Sequence, residues 1–180
     1  MQRLQKHTSH LRLIQPHILS PVLKRHFFLH EYQSFELLKS YQIPVPAQTV
    51  ANNPDEALRV ARSYGRNYKK NFIIKAQVKP FNQQVDDGFF ISNQVKVGLV
   101  SGIQTAQTPE EVRDVAEKML GHRYLSKSTP ARGLMCKKVL IMEEIRVRNK
   151  FFLHLSIDSK EATPVLTYSN KGGMPGEQLR

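Results

Sequence analysis

One thiol, the two histidines that follow His30 and a run of closely spaced cations are the side chains here that lend themselves to chemistry or to charge recognition. Cys136 is followed directly by Lys137 and Lys138, and nearby cations favour the thiolate that a nucleophile needs. The neighbourhood predicts a lowered thiol pKa, but no base or acid partner accompanies it, so a catalytic cysteine is not the favoured reading. As the single cysteine, it excludes an internal disulfide and a cysteine-based zinc cage. His122 follows a glycine that should end a helix, and His154 sits between Leu153 and Leu155 in a strand-like run. They form neither a ligand cluster nor a Ser-His-Asp arrangement. No catalytic residue, metal site or cofactor is expected.

Arg146, Arg148 and Lys150 alternate as if along one face of a hairpin, with Lys137 and Lys138 nearby. Such a patch could meet RNA or an acidic protein, and a solvated face is the plainer alternative. Phe89-Phe90 and Phe151-Phe152 are adjacent pairs, which a strand sends to opposite faces. No RNA-binding fold signature goes with them.

The elements that position these residues follow from periodicity and punctuation. Phe35, Leu38 and Tyr41 recur at helical spacing after Glu31, and Ile43-Pro44-Val45-Pro46 forces an extended exit and a short strand. Asn53-Pro54-Asp55-Glu56 and Thr108-Pro109-Glu110-Glu111 are helix starts: a side-chain acceptor, a proline in the first turn and a glutamate three residues on. Ala57, Val60, Ala61 and Tyr64 make the apolar stripe of the first of these helices, which Gly65 should stop. Val112, Val115, Ala116 and Met119 make that of the second, stopped by Gly121. A strand is predicted over Asn71 to Val78 and another over Val95 to Ile103, softened by Gly98 and Gly102, with a loop between. Val139 to Glu143, Phe151 to Asp158 and Val165 to Tyr168 read as an antiparallel meander. The order gives a mixed α/β or α+β domain.

The 180 residues, 40% of them hydrophobic, suffice for one core, arranged as a single body or two small lobes. Lys and Arg number 27 against 15 acids, a net charge of +12 that attracts anionic partners. Five of those cations fall before Glu31 with no acid among them, leaving +7 for the rest. Residues 1–28, basic and hydroxyl-bearing with scattered leucines and isoleucines, fit a mitochondrial transit peptide or a retained basic arm. No apolar run approaches the ~18 residues of a membrane span, so any membrane contact is expected to be peripheral.

Leu29-His30-Glu31-Tyr32-Gln33, Tyr41-Gln42-Ile43-Pro44-Val45-Pro46, Ile74-Lys75-Ala76-Gln77-Val78 and Met119-Leu120-Gly121-His122-Arg123 occur in one order, and Ser169 and Gly172-Gly173 close the set. In that order the chain resembles the first third of succinyl-CoA ligase β subunits. The resemblance implies an ATP-grasp-like fold with antiparallel sheets over residues 29–180, two nucleotide positions at Lys75 and Glu143, and a mitochondrial address in the matrix or on the matrix face of the inner membrane.

The same resemblance marks departures. Where the family has a glycine-rich phosphate loop, this chain has Lys79-Pro80-Phe81-Asn82-Gln83-Gln84, and a second nucleotide-contacting glutamate corresponds to Lys150. Proline lacks an amide hydrogen and lysine can only donate. The family's metal ligands correspond to positions beyond Arg180. Lys75 and Glu143 are therefore expected as inactive remnants, and the chain as not an enzyme. It reads as an accessory subunit of a respiratory-chain, ATP synthase or ribosomal complex. The alternatives are an RNA-associated mitochondrial ribosomal protein, which would use Lys137, Lys138, Arg146, Arg148 and Lys150, and the N-terminal piece of a split ligase or a nucleotide sensor.

Overall fold

The computed structural model describes residues 29–64, 71–78, 88–93, 95–127, 129–158 and 160–172. The expected leader, the Gly65 stop, the loop at Lys79–Gln84 and Gly173 lie outside the described residues. The element order is α1 (Glu31–Ser40), β1 (Gln48–Ala51), α2 (Pro54–Ser63), β2 (Phe72–Ala76), β3 (Phe89–Ser92), β4 (Val95–Val100), β5 (Ile103–Ala106), α3 (Pro109–Met119), β6 (Arg123–Leu125), β7 (Leu134–Met135), β8 (Val139–Glu143), β9 (Phe152–Ile157) and β10 (Pro164–Ser169). This is the mixed α/β architecture with antiparallel sheets that the sequence predicts.

The main sheet runs β1-β8-β2-β5 with antiparallel neighbours throughout. Strand alternation divides its residues between two faces. Phe72, Ile74, Ala76, Val139 and Ile141 join one core cluster with Ala57 and Ala61 of α2 and Val112, Ala116 and Met119 of α3. Alanines on the facing helices let their backbones lie close to the sheet and to each other. The helix starts form as their residue types demand. Asn53 Oδ1 accepts from the Glu56 amide at 2.8 Å and Thr108 Oγ1 from the Glu111 amide at 3.2 Å. Each glutamate reaches back, Glu56 to the Asn52 amide and Glu111 to the Gln107 amide, both at 2.7 Å. Exposed pairs, Arg62–Glu110 at 3.0 Å and Arg113–Asp55 at 3.1 Å, link the two helices.

A second sheet, β4-β3-β6-β7, is built on the contact of the Phe90 and Tyr124 rings, whose centroids are 5.1 Å apart. Gly88 is required here, because a Cβ on it would lie 2.3 Å from the Tyr124 ring. Of the adjacent phenylalanines, Phe90 is buried and Phe89 half-buried, as a strand requires.

Two expectations are corrected. The single strand over Val95 to Ile103 is two strands in different sheets, because Ser101 takes φ +71 and turns the chain between them. The meander does not form: β8 is inserted between β1 and β2, while β9 and β10 pair only with each other among the described residues. The helix expected from Phe35, Leu38 and Tyr41 forms as α1, although none of its residues is buried and Leu37 and Leu38 are exposed.

Truncating Ile141 to Ala, in the middle of the buried strand, should cost about 2–5 kcal/mol in urea unfolding. The Glu56 carboxyl is held below its ordinary value by its bonds to Asn52, the backbone one foremost. A carboxyl lowered in the folded state adds stability at pH values above its unfolded pKa, and that contribution is lost as the pH falls through the folded value. Glu56→Gln should therefore flatten the acid side of the stability curve below about pH 4.5, read as Tm against pH.

Candidate functional site

β2 delivers Lys75 and the end of β8 delivers Glu143. The ladder pairs Lys75 with Leu140 and Phe72 with Glu143. Directly paired residues share a face, so Lys75 lies with Ile73 and Leu140, and Glu143 lies with Phe72 and Ile141 on the opposite side. The structure does not bring the two residues into one cluster.

Lys75 points to α1, where its Nζ meets Glu31 Oε1 at 2.7 Å, both side chains being largely buried (15% and 19% exposed). Screening by water is weak at such a place, so breaking the pair leaves two poorly solvated charges. Gln77 fastens the same helix from two residues on. The Tyr32 amide donates to its Oε1 at 3.4 Å, and its own Nε2 donates to the Lys75 carbonyl at 3.2 Å. The α1 start is closed by the His30 amide donating to Gln33 Oε1 at 2.9 Å. Sequence reasoning missed Glu31 and Gln77 as partners, since nothing local marks contacts spanning more than forty residues.

Glu143 opens instead onto a groove of about 1210 Å³ whose wall includes Tyr32, Pro44, Pro46, Gln48, Lys138 and Glu143. The Ala47 amide donates to Glu143 Oε1 at 3.4 Å, and the Glu143 amide donates to the Ala47 carbonyl at 3.1 Å. Gln48 Oε1 is buried there without a hydrogen-bond donor among the described residues. Lys138 Nζ stands 5.4 Å over the Tyr32 ring. Two acceptors and one cation on a proline-lined wall can hold a flat group that carries hydrogen-bond donors.

The basic residues do not share one strand face. Arg146, Arg148 and Lys150 lie exposed in the connection between β8 and β9, which is not strand, and Lys138 is half-buried while Lys137 is exposed. His122 and His154 are far apart in the order of sheets, in β6's approach and in β9, and the described residues contain no group of three metal-ligating side chains.

The expected activation of Cys136 is corrected. The thiol is buried, its Sγ donates to the Lys138 carbonyl at 3.3 Å, and burial pushes its pKa up to about 11. The lysine side chains that follow it in sequence do not stabilise a thiolate in this interior. In the folded protein Cys136 should resist iodoacetamide at pH 8 and be alkylated promptly in urea, measured as mass gain over time; rapid native labelling would contradict the burial.

Residues 28–179 match the model of the ATP-grasp domain. Among similar proteins are the hydrogenosomal succinate–CoA ligase [ADP-forming] β subunit of Neocallimastix frontalis (34% identical, over 87% of this chain and 33% of the relative) and the mitochondrial subunits of Neurospora crassa (34%, over 84% and 32%) and Columba livia (33%, over 86% and 35%). The chain spans about a third of the length of these relatives. They overturn the expectation that the chain stands outside enzymes, because each is named as a subunit of a ligase.

Proposed function

The chain belongs to the ATP-grasp domain family, and from that premise we propose that it serves in mitochondria as a subunit of a larger protein assembly, supplying the N-terminal unit of a succinate–CoA ligase β-type fold. The mitochondrial names of the Neurospora and Columba relatives and the basic, acid-free leader support the location. Respiratory-chain, ATP synthase and ribosomal complexes of the matrix or the inner membrane's matrix face are the candidate hosts. The observation that carries the reading is the β9–β10 ribbon, whose large apolar side chains stand in water at 60–78% exposure for Leu153, Leu155, Ile157, Leu166 and Tyr168. A two-stranded ribbon is marginal by itself in water, and a contiguous apolar patch marks a surface that another body covers.

A second reading is favoured by the groove at Glu143. Its acceptors and apolar wall suit the base end of a nucleotide, as the ATP-grasp family would use it, whereas Lys75 could reach phosphate only by leaving Glu31.

Tagged at Arg180 and extracted gently from mitochondria, the chain should elute in a particle far larger than its own 20.7 kDa; elution as a free monomer would overturn the assembly reading. For the second reading, millimolar ATP should raise the Tm of the purified chain, since a ligand specific for the folded state must stabilise it. Glu143→Ala should remove that rise and Glu31→Gln should enlarge it. An unchanged Tm for the unaltered chain would dismiss nucleotide binding.

A further inference from the structure

The second sheet has a face that the core does not use. Its ladders set Lys96, Ile91, Arg123 and Met135 in one row across the four strands. Strand alternation puts that row on the side opposite Phe90, Tyr124 and Leu134, which pack into the core. A pocket of about 490 Å³ lies there, lined among others by Ile91, Ser92, Asn93, Arg123, Arg132 and Met135. Both arginines come from the hairpin of β6 and β7. The Gly133 amide donates to the Pro130 carbonyl at 2.7 Å, closing a turn that carries Arg132. Gly133, at φ +68, approaches β6 so closely that a Cβ on it would stand 2.9 Å from the Tyr124 carbonyl oxygen and 3.3 Å from the Arg123 Cβ. Arg123 Nη1 donates to the Gly133 carbonyl at 3.3 Å. One turn thus holds the first guanidinium and carries the second. No acid lines the pocket, and neither guanidinium has a carboxylate partner among the described residues. The acids nearest in sequence are engaged elsewhere: Glu117 faces Arg113 at 4.0 Å, Glu143 lines the other groove, and Glu144 accepts from Asn71 at 2.8 Å. Asp86 and Asp87 lie outside the described residues.

From this arrangement we propose that the pocket binds a phosphate monoester of a small apolar body, with the phosphoryl group at Arg123 and Arg132 and the body against Ile91 and Met135. A guanidinium fork matches two phosphate oxygens, and two forks match a dianion better than a single charge. The Ser92 hydroxyl and the Asn93 amide add donors without adding negative charge. Lys96 supplies a third cation in the same row, its Nζ standing 4.5 Å over the Phe89 ring. The apolar pair gains by covering carbon, which inorganic phosphate does not offer. A concave site of this size suits a small molecule. The pocket shares no lining residue with the groove at Glu143, so its ligand is independent of the nucleotide reading.

The probe is phenyl phosphate, titrated into the purified full-length chain and followed by saturation-transfer NMR. It should bind about tenfold more tightly than inorganic phosphate, which lacks the body, and about tenfold more tightly than benzenesulfonate, which carries one charge, all at matched ionic strength. Arg123→Gln and Arg132→Gln should each weaken it about tenfold, while Glu143→Ala should leave it unchanged. Both arginines are exposed, so an unaltered Tm without ligand certifies the fold of each variant. Absence of phenyl phosphate binding overturns the inference. So does equal binding of benzenesulfonate, which reduces the site to unspecific charge, or equal binding of inorganic phosphate, which removes the role of the apolar pair. Binding that survives both arginine substitutions and is lost in Glu143→Ala overturns it as well, by moving the ligand to the other groove.

Discussion

The pairing of β2 with β8 is the constraint on which the rest depends. These two strands lie inside the main sheet with β1 and β5 outside them, so each of their side chains must be accommodated on one of two covered faces. Alternation then decides the remaining architecture. One set, Phe72, Ile74, Val139 and Ile141, requires an apolar cover, and the alanine-bearing stripes of α2 and α3 provide it at close range. The other set contains Lys75, which cannot be left uncompensated near an interior, and Glu31 on α1 answers it. The placement of α1 thus follows from a charge, whereas that of α2 and α3 follows from apolar area.

Much of this was legible in the residues. The two helix starts formed as Asn53 and Thr108 with their downstream glutamates specify, because capping chemistry is local and needs no tertiary information. The motifs Leu29–Gln33 and Ile74–Val78 were recognisable as a set, and the structure supplies a physical reason. They touch, through Glu31 with Lys75 and Tyr32 with Gln77, so a pattern spread along the chain records one contact. Strand partners were not legible. β8 reads as the first strand of a meander because its neighbours in sequence are strands too, and only the competition of alternative pairings places it between β1 and β2.

The errors at single residues share a cause. Cys136 was read from its sequence neighbours, Lys137 and Lys138, but a pKa answers to surroundings in space, and burial dominates there. The alternation of Arg146, Arg148 and Lys150 looked like a strand face, yet the chain is not strand at those positions. Alternating cations lack the β-branched and aromatic neighbours that would hold a strand in register. The candidate nucleotide positions were legible as residues and not as geometry, since nothing in a linear sequence says that Lys75 and Glu143 take opposite faces.

That division bears on how the fold can be used. Alternation sets the two side chains on opposite faces, yet the groove that Glu143 lines also takes in Leu140, the ladder partner of Lys75, and Tyr32 of α1, so it borders the side on which Lys75 meets Glu31. The groove beside Glu143 is preformed, while Lys75 is already engaged by Glu31 at 2.7 Å. Binding phosphate at Lys75 then competes with the Lys75–Glu31 pair, one of the described ties between α1 and the sheet. Among the described residues the ribbon presents no such conflict, since its apolar face is exposed and its strands pair only with each other, and covering that face gains apolar burial without breaking a described contact. By that asymmetry, phosphate at Lys75 competes with the pair that ties α1 to the sheet, whereas the exposed face of the ribbon competes with no described contact.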